Sequence, residues 1–171
     1  ALDGSESESE CGYNPSYPAT SPYVTAVGAT YAWTWDDPGE NERVCMSNVN
    51  NSLITSGGGF STVFAQHNYT TSAITGYFGN VTTQPESGYN STGRAYPDIS
   101  LSGFGYKVVN GESNETVYGT SCSAPSVAGM ASLINAILLE AGESPIGFIN
   151  QVLYEDNGAF ANDVTEGENN C

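Results

Sequence analysis

Ser121 is the side chain of this sequence best placed for covalent chemistry. It stands in Gly119-Thr120-Ser121-Cys122-Ser123-Ala124-Pro125, where a β-prone stretch turns at once into a long apolar helical run. The first N–H groups of a helix have no partner inside it, and the helix dipole is positive at that end. A serine held there can attack a carbonyl carbon while those N–H groups take up the charge on the carbonyl oxygen. The same position suits a serine that only caps the helix, and Ser121 or Ser123 would serve. The one histidine, His67, lies in Gln66-His67-Asn68-Tyr69 and reads as an ordinary surface residue rather than a general base.

The elements around Ser121 follow from local patterns. Tyr23 to Tyr31 is an apolar, β-prone run behind a proline-rich loop and predicts a buried strand. Arg94 to Leu101 forms a second β-prone run. Tyr106 to Tyr118, with Asn110-Gly111 near its centre, predicts a hairpin. Ala124 to Ala141 is apolar on nearly every side, which predicts a helix buried in the middle of the fold. Pro125 suits its first turn and Gly142 its C-terminal cap. Ser144-Pro145 predicts the start of another helix, through about Tyr154. Ser56-Gly57-Gly58-Gly59-Phe60-Ser61 supplies glycines for unusual backbone angles or close approach, and residues 66 to 94 read mostly as surface loop with a short helix near Thr71 to Tyr77.

With 171 residues the chain is one domain or part of one. Nineteen acidic against three basic residues give a net charge of −16, which repels nucleic-acid phosphates and anionic membrane surfaces. No uninterrupted run of about 18 apolar residues is present, so no membrane-spanning helix is expected. The acidic opening, Leu2 to Glu10, reads as a solvated terminus, with no leader-type apolar region. Five N-x-S/T sequons, at Asn50, Asn68, Asn80, Asn90 and Asn114, point to a secretory route and to glycans at the surface. The four cysteines, Cys11, Cys45, Cys122 and Cys171, lack C-x-x-C spacing, so bridges in an oxidising compartment are expected rather than a zinc or redox site.

Taken as a whole string, Gly119-Thr120-Ser121-x-Ser123-x-Pro125 with Val127-Ala128-Gly129 resembles the nucleophile motif of subtilisin-like serine peptidases. It is closer still to that of the sedolisin, or serine-carboxyl peptidase, family. Tyr17-Pro18-Ala19-Thr20-Ser21-Pro22-Tyr23-Val24-Thr25-Ala26-Val27-Gly28, the Ser56 to Ser61 glycine run, Gly93-Arg94-Ala95-Tyr96-Pro97-Asp98-Ile99 and Gly147-Phe148-Ile149-Asn150-x-x-Leu153-Tyr154 are similar to further sedolisin segments, in the same order. The likeness is nearest to the tripeptidyl-peptidase branch. It implies an α/β, subtilisin-like fold, a parallel sheet with helices on both faces, of which residues 1–171 would be the C-terminal part. The implied activity is acid-acting hydrolysis of peptide bonds through a Ser121 acyl-enzyme, in a Ser-Glu-Asp triad where a carboxylate takes the place of histidine. A neutral subtilisin-type peptidase and a non-catalytic secreted glycoprotein of the same fold are the alternatives.

The same resemblance sets expectations for the rest of the molecule. In this family the triad Glu and Asp precede the proline-rich segment, so they are expected from an upstream segment or a second chain of the same processed precursor. Asp3, in Leu2-Asp3-Gly4, only partly matches the G-D-x-G of the oxyanion Asp. Phe160-Ala161-Asn162-Asp163-Val164-Thr165-Glu166-Gly167 is similar to the family's calcium-binding stretch, which implies the Asp163 side chain and the Val164 carbonyl as two oxygen ligands, with the shell completed outside the chain. Cysteines near Cys11 and Cys171 in the tripeptidyl-peptidase branch imply a bridge between those two. Cys122 is expected to be a free buried thiol. The substrate is a peptide or protein, and the place is secreted or lysosomal/vacuolar.

Overall fold

The computed structural model describes residues 13–31, 42–46, 54–83, 85, 87–155 and 158–169. Cys11, Cys171, Asn50 and Asp3, and with them the expected bridge, lie outside the described residues. The centre is a three-stranded sheet of β1 (Val27–Tyr31), β2 (Arg43–Val44) and β5 (Ile99–Ser102) in the order β2-β1-β5. β1 and β5 run parallel, from Val27 opposite Ile99 to Thr30 opposite Ser102. Antiparallel pairing joins β1 to β2, β3 (Gly59–Ala65) to β4 (Gly93–Tyr96), and β6 (Tyr106–Asn110) to β7 (Ser113–Val117). The chain is α/β, and its parallel element among the described residues is the β1–β5 pair. The C-terminal segment extends the sheet edge beyond β2. There Glu166 bridges to Arg43, its carbonyl accepts from Val44 N–H at 3.0 Å, and its carboxylate meets Arg43 Nε at 2.8 Å.

Three helices accompany the strands: α1 (Thr71–Asn80), α2 (Thr120–Glu140) and α3 (Asn150–Glu155). α1 follows a 3-10 turn at Asn68–Thr70 and outlasts its predicted end. The run from Arg94 to Leu101 divides at Pro97 into β4 and β5, which belong to different sheets, because proline has no N–H to carry the ladder through. The glycine run opens β3. Gly59 takes φ +139, and a Cβ on Gly58 would meet the Tyr96 carbonyl oxygen at 3.2 Å. Gly111, at φ +63, turns the β6–β7 hairpin as its sequence predicts.

α2 departs from its prediction in two respects. It starts at Thr120, since Cys122 N–H already bonds the Gly119 carbonyl at 2.9 Å, so Pro125 falls in the second turn rather than the first. Only its opening turns are buried, at Cys122 and Ser123, while Leu133 and Ile137 are 69% and 67% exposed. Beyond Cys122 and Ser123, Val127, Ala131, Asn135 and Leu138 are half-buried along one side, with Asn135 Oδ1 accepting Ile146 N–H at 2.9 Å, and the helix packs on β1 and β5. Its length and mean hydropathy, 1.6 over an 18-residue window, are enough for a membrane span, so the lack of an uninterrupted apolar run does not exclude one. The tie of its first turn to the sheet is that of a core helix in an α/β fold. Its end closes as predicted, with Gly142 at φ +79, Gly142 N–H bonded to Leu139 O and Glu143 N–H to Leu138 O. The helix expected from Ser144 begins only at Asn150, beyond Gly147 at φ +66.

A buried polar hub locks the start of the parallel pair. Arg94 is 0% exposed, and its Nη2 lies 2.6 Å from Asp98 Oδ2. The Arg94 guanidinium also donates to the Ser21, Val24 and Ala95 carbonyls. Asp98 Oδ2 accepts Ala26 N–H at 2.7 Å, and Oδ1 accepts the Tyr154 hydroxyl at 2.9 Å. Asn150, also buried, donates to the Val24 carbonyl at 3.0 Å and accepts from Thr25 Oγ1 at 2.6 Å. Three of the sequence motifs, the proline-rich loop, Gly-Arg-x-x-Pro-Asp and Asn-x-x-Leu-Tyr, thus meet at one point. Burial, and then the Asp98 carboxylate beside it, raise the Tyr154 phenol well above its ordinary value.

Candidate active site

Ser121 sits where the parallel pair ends. β1 and β5 close on Thr30 and Ser102, and the next residue, Gly103, is clamped between them and α2. Its N–H bonds the Thr30 carbonyl at 2.9 Å, and its carbonyl accepts Gly119 N–H at 2.7 Å. A Cβ on Gly103 would fall 2.6 Å from Ala29 Cβ, 3.0 Å from the Gly119 carbonyl oxygen and 3.0 Å from Ser123 Oγ. Gly119 itself has φ +138, a conformation that lets the strand turn directly into the helix. Ser123 is fully buried and donates to the Ser102 carbonyl at 3.1 Å. The structural part of the motif is therefore Ser123, whereas Ser121, two residues earlier, is exposed and carries no cap bond.

Across from Ser121 stands the β6–β7 hairpin. Its tyrosine, Tyr106, donates its hydroxyl to the same Ser102 carbonyl at 2.9 Å and accepts from Ser126 Oγ of α2 at 3.2 Å. Hairpin and helix flank an open cavity of about 330 Å³ with Ser121 on its wall. The first N–H groups of α2, at Thr120 and Ser121, lack intrahelical acceptors by their position, so they are available to a carbonyl oxygen in that cavity. The arrangement sets an exposed serine hydroxyl beside free helix N–H groups. Among the described residues, no histidine or carboxylate lines the cavity. His67 stands at the start of the 3-10 turn, half-buried rather than at the surface, with its ring 4.5 Å from that of Tyr69 and Nδ1 buried without a partner.

The remaining candidates are spread over the molecule. Asp163 is exposed and Val164 half-buried on the C-terminal segment, away from any cluster of three or more ligating side chains among the described residues. Asn68, Asn80 and Asn114 are exposed. Asn90 is half-buried, donating its Nδ2 to the Ser61 carbonyl at 2.9 Å while its Oδ1 accepts from Thr92. Cys122 is a free buried thiol, and Cys45 donates its thiol to the Thr30 carbonyl at 3.0 Å. No disulfide occurs among the described residues.

The sequence profile of the subtilase family matches residues 4–141, most of the chain and the whole of this site. The chain belongs to the subtilase family. Within it, the similar proteins are those of the sedolisin branch. Tripeptidyl-peptidase 1 of Canis lupus familiaris is 43% identical over 157 residues, covering 91% of this chain and 26% of that protein. Human tripeptidyl-peptidase 1 is 40% identical, with the same coverage. Tripeptidyl-peptidase sed1 of Aspergillus fumigatus is 34% identical over 92% of this chain. This subtilase therefore spans about a quarter of the length of the curated relatives it matches. Its fold matches Pseudomonas sedolisin, a serine-carboxyl proteinase solved with two molecules of pseudo-iodotyrostatin, at a TM-score of 0.62 and 23% identity, over 90% of this chain and 39% of that one. The likeness establishes the subtilisin-like fold.

Proposed function

We propose that this subtilase is the nucleophile-bearing part of an acid-acting serine-carboxyl peptidase. The observation that carries the reading is the exposed Ser121 at the N-terminal turn of α2, at the C-terminal end of the parallel pair and on the wall of a cavity. Sites in open α/β sheets lie at that edge of the strands. Ser121 Oγ attacks the scissile carbonyl carbon, and its proton passes to a carboxylate base. The carbonyl oxygen takes the negative charge beside the α2 N–H groups, then re-forms its double bond as the amine leaves with the proton. Water attacks the resulting ester by the same route and releases the acid. The triad Glu and Asp come from an upstream segment or a second chain of the same precursor, which also covers the exposed face of α2. A carboxylate base, titrating at about 4, stays competent in acid, where a histidine is protonated.

Asp163 and the Val164 carbonyl are hard oxygen donors of the kind calcium takes, two of the six or more it needs, and further ligands come from beyond the described residues. Bound there, calcium would pin the C-terminal segment to the β2 edge. The exposed sequons Asn68, Asn80 and Asn114 fit a secreted or lysosomal/vacuolar glycoprotein. The test is Ser121→Ala in the full-length enzyme assayed on peptide substrates across the pH range. The expected result is a maximum below about pH 7 for the parent and a loss of several orders of magnitude in the variant, which remains folded. Near-parental turnover by the variant would remove the reading.

A further inference from the structure

α1 ends beside a cluster of aromatic rings, and its last residue opens the sequon Asn80-Val81-Thr82. Phe78 stacks on Phe60 of β3 with ring centres 5.5 Å apart and planes 16° apart. Both lie against Tyr89, from the loop before β4, at 6.1 Å and 5.1 Å. Tyr77 meets Phe78 edge-on at 5.2 Å, and Tyr13 tilts onto Tyr89 at 5.8 Å. Tyr77 and Tyr13 are 46% and 47% exposed, so the cluster reaches the surface. Burial, then the neighbouring Tyr89 and Tyr13 phenols, raise the Tyr77 phenol above its ordinary value, which places the three hydroxyls along one rim. α1 itself is lightly held, with Ile74 its one buried residue.

Helical side chains lean back toward the N-terminus and meet the residues three and four positions earlier. From Asn80 those are Tyr77 and Gly76. Gly76 has no side chain, and a Cβ there would meet nothing within 4 Å, so the ground between Asn80 and the Tyr77 ring is open. Asn80 and Thr82 are exposed, and the chain leaves the helix at Val81 in extended backbone. We propose that Asn80 carries an N-linked glycan whose first N-acetylglucosamine seats on the Tyr77 ring, and that this contact holds α1 against the aromatic cluster. The inference rests on the reading of this chain as a secretory glycoprotein and extends it to what the sugar touches. In the transfer, Asn80 Nδ2 bonds the anomeric carbon of the sugar as the bond from that carbon to a lipid-linked diphosphate donor breaks. The diphosphate leaves with the electron pair, and the amide gives up one proton. The face of an aromatic ring is negative and the sugar presents C–H groups to it, so the two attract while both shed water. The phenol hydroxyls of Tyr77, Tyr13 and Tyr89 can both donate to and accept from the hydroxyl edge of the sugar. The other sequon beside the cluster, at Asn90, is half-buried with its Nδ2 on the Ser61 carbonyl at 2.9 Å, so its amide is committed to the strand rather than to the rings.

The test uses the full-length protein secreted from a eukaryotic host, with every glycan trimmed by an endoglycosidase to its first sugar. Peptide mapping is expected to find Asn80 occupied. Thr82→Ala keeps Asn80 but removes its sequon, so no sugar is attached there. Against the trimmed parent it is expected to lower the urea midpoint by about 0.3–1 M, the size of one aromatic contact against an ordinary urea slope. In a Tyr77→Ala background the same Thr82→Ala change should cost nothing further, and in Tyr77→Phe, which keeps the ring, the loss should return. Tyr77 is half-exposed, so these variants are expected to fold, and Tyr77→Leu, which keeps apolar volume without a ring, repeats the measurement where alanine does not. An occupied Asn80 with equal losses in the parent and Tyr77→Ala backgrounds, or with no loss in either, overturns the seat while leaving the glycan. An unoccupied Asn80 overturns the reading of the sequon beneath it.

Discussion

Replacing Asp98 by Asn tests how the two ends of the fold are divided between stability and chemistry. The change keeps shape and volume but removes the negative charge from a side chain that is 0% exposed, facing an Arg94 side chain equally shut off from water. Arg94 then stays buried with only neutral partners, the Ser21, Val24 and Ala95 carbonyls among them. With its oxygen in the place of Oδ2 the amide still accepts from Arg94 and Ala26, and its Nδ2 can donate to the Tyr154 hydroxyl, so the change removes charge rather than hydrogen bonds. Breaking one side of a buried ion pair costs about 3–5 kcal/mol, and the carbonyls around Arg94 place the expected loss toward about 3 kcal/mol. With a urea slope of about 1–3 kcal/mol per molar, the midpoint falls by at least about 1 M. Removing both charges, in Arg94→Met with Asp98→Leu, should cost less than the sum of the singles, because no charge is then left unpaired. Urea titrations of the full-length protein followed by tryptophan fluorescence give all three values. The hub stands at the start of β1 and β5, whereas Ser121 stands at their ends, so the folded Asp98→Asn enzyme should retain its kcat. A midpoint within about 0.3 M of the parent, or a double variant as weak as the summed singles, refutes this account of the hub.

The other expectations are shorter. The Tyr154 phenol is raised in the folded protein, so folded chains hold that proton more tightly than unfolded ones. Its contribution is complete below pH 10.0, the ordinary phenol value, and is lost as pH rises beyond it. Tyr154→Phe should flatten the alkaline fall in melting temperature while leaving its slope below pH 9 unchanged. Gly103→Ala should disrupt the joint of β5 and α2, since the new Cβ meets Ala29 Cβ at 2.6 Å and the Gly119 carbonyl at 3.0 Å. Activity should fall more than stability in that variant, because the displaced segment carries Ser121, and equal losses would contradict the clamp.

What could be read from the sequence was whatever is fixed locally. Gly111 sets the hairpin turn through its positive φ, Gly142 ends α2 for the same reason, and the apolar run into Tyr31 makes a strand with no help from distant residues. Readings failed where a neighbour decides. Arg94 to Leu101 is uniformly β-prone, yet Pro97 assigns its halves to different sheets, and Ser144 to Tyr154 is helix-prone, yet Gly147 delays the helix to Asn150. The all-round apolar pattern of α2 states that the helix needs neighbours without stating where they are. Its exposed Leu133 and Ile137, against half-buried Ala131 and Leu138, show that the described residues supply them on one side only.

The site divides in the same manner. Ser121 was legible because the N–H groups that serve it belong to its own helix, so a short contiguous string carries the whole signal. The cavity was not, because its walls come from two strands and a helix brought together by the Tyr106 anchor. The signal for it was nevertheless present. Once Gly111-Glu112 is taken as the two-residue turn, the pairing of Tyr106 with Val117 and of Val108 with Glu115 follows by counting outward, and Tyr106, Val108 and Val117 fall on one face. That face meets the start of α2, three residues after Val117. A hairpin joined so briefly to α2 lies against it, which is why the residues between Ser102 and Pro125 bring Ser121 and the apolar wall of the pocket together.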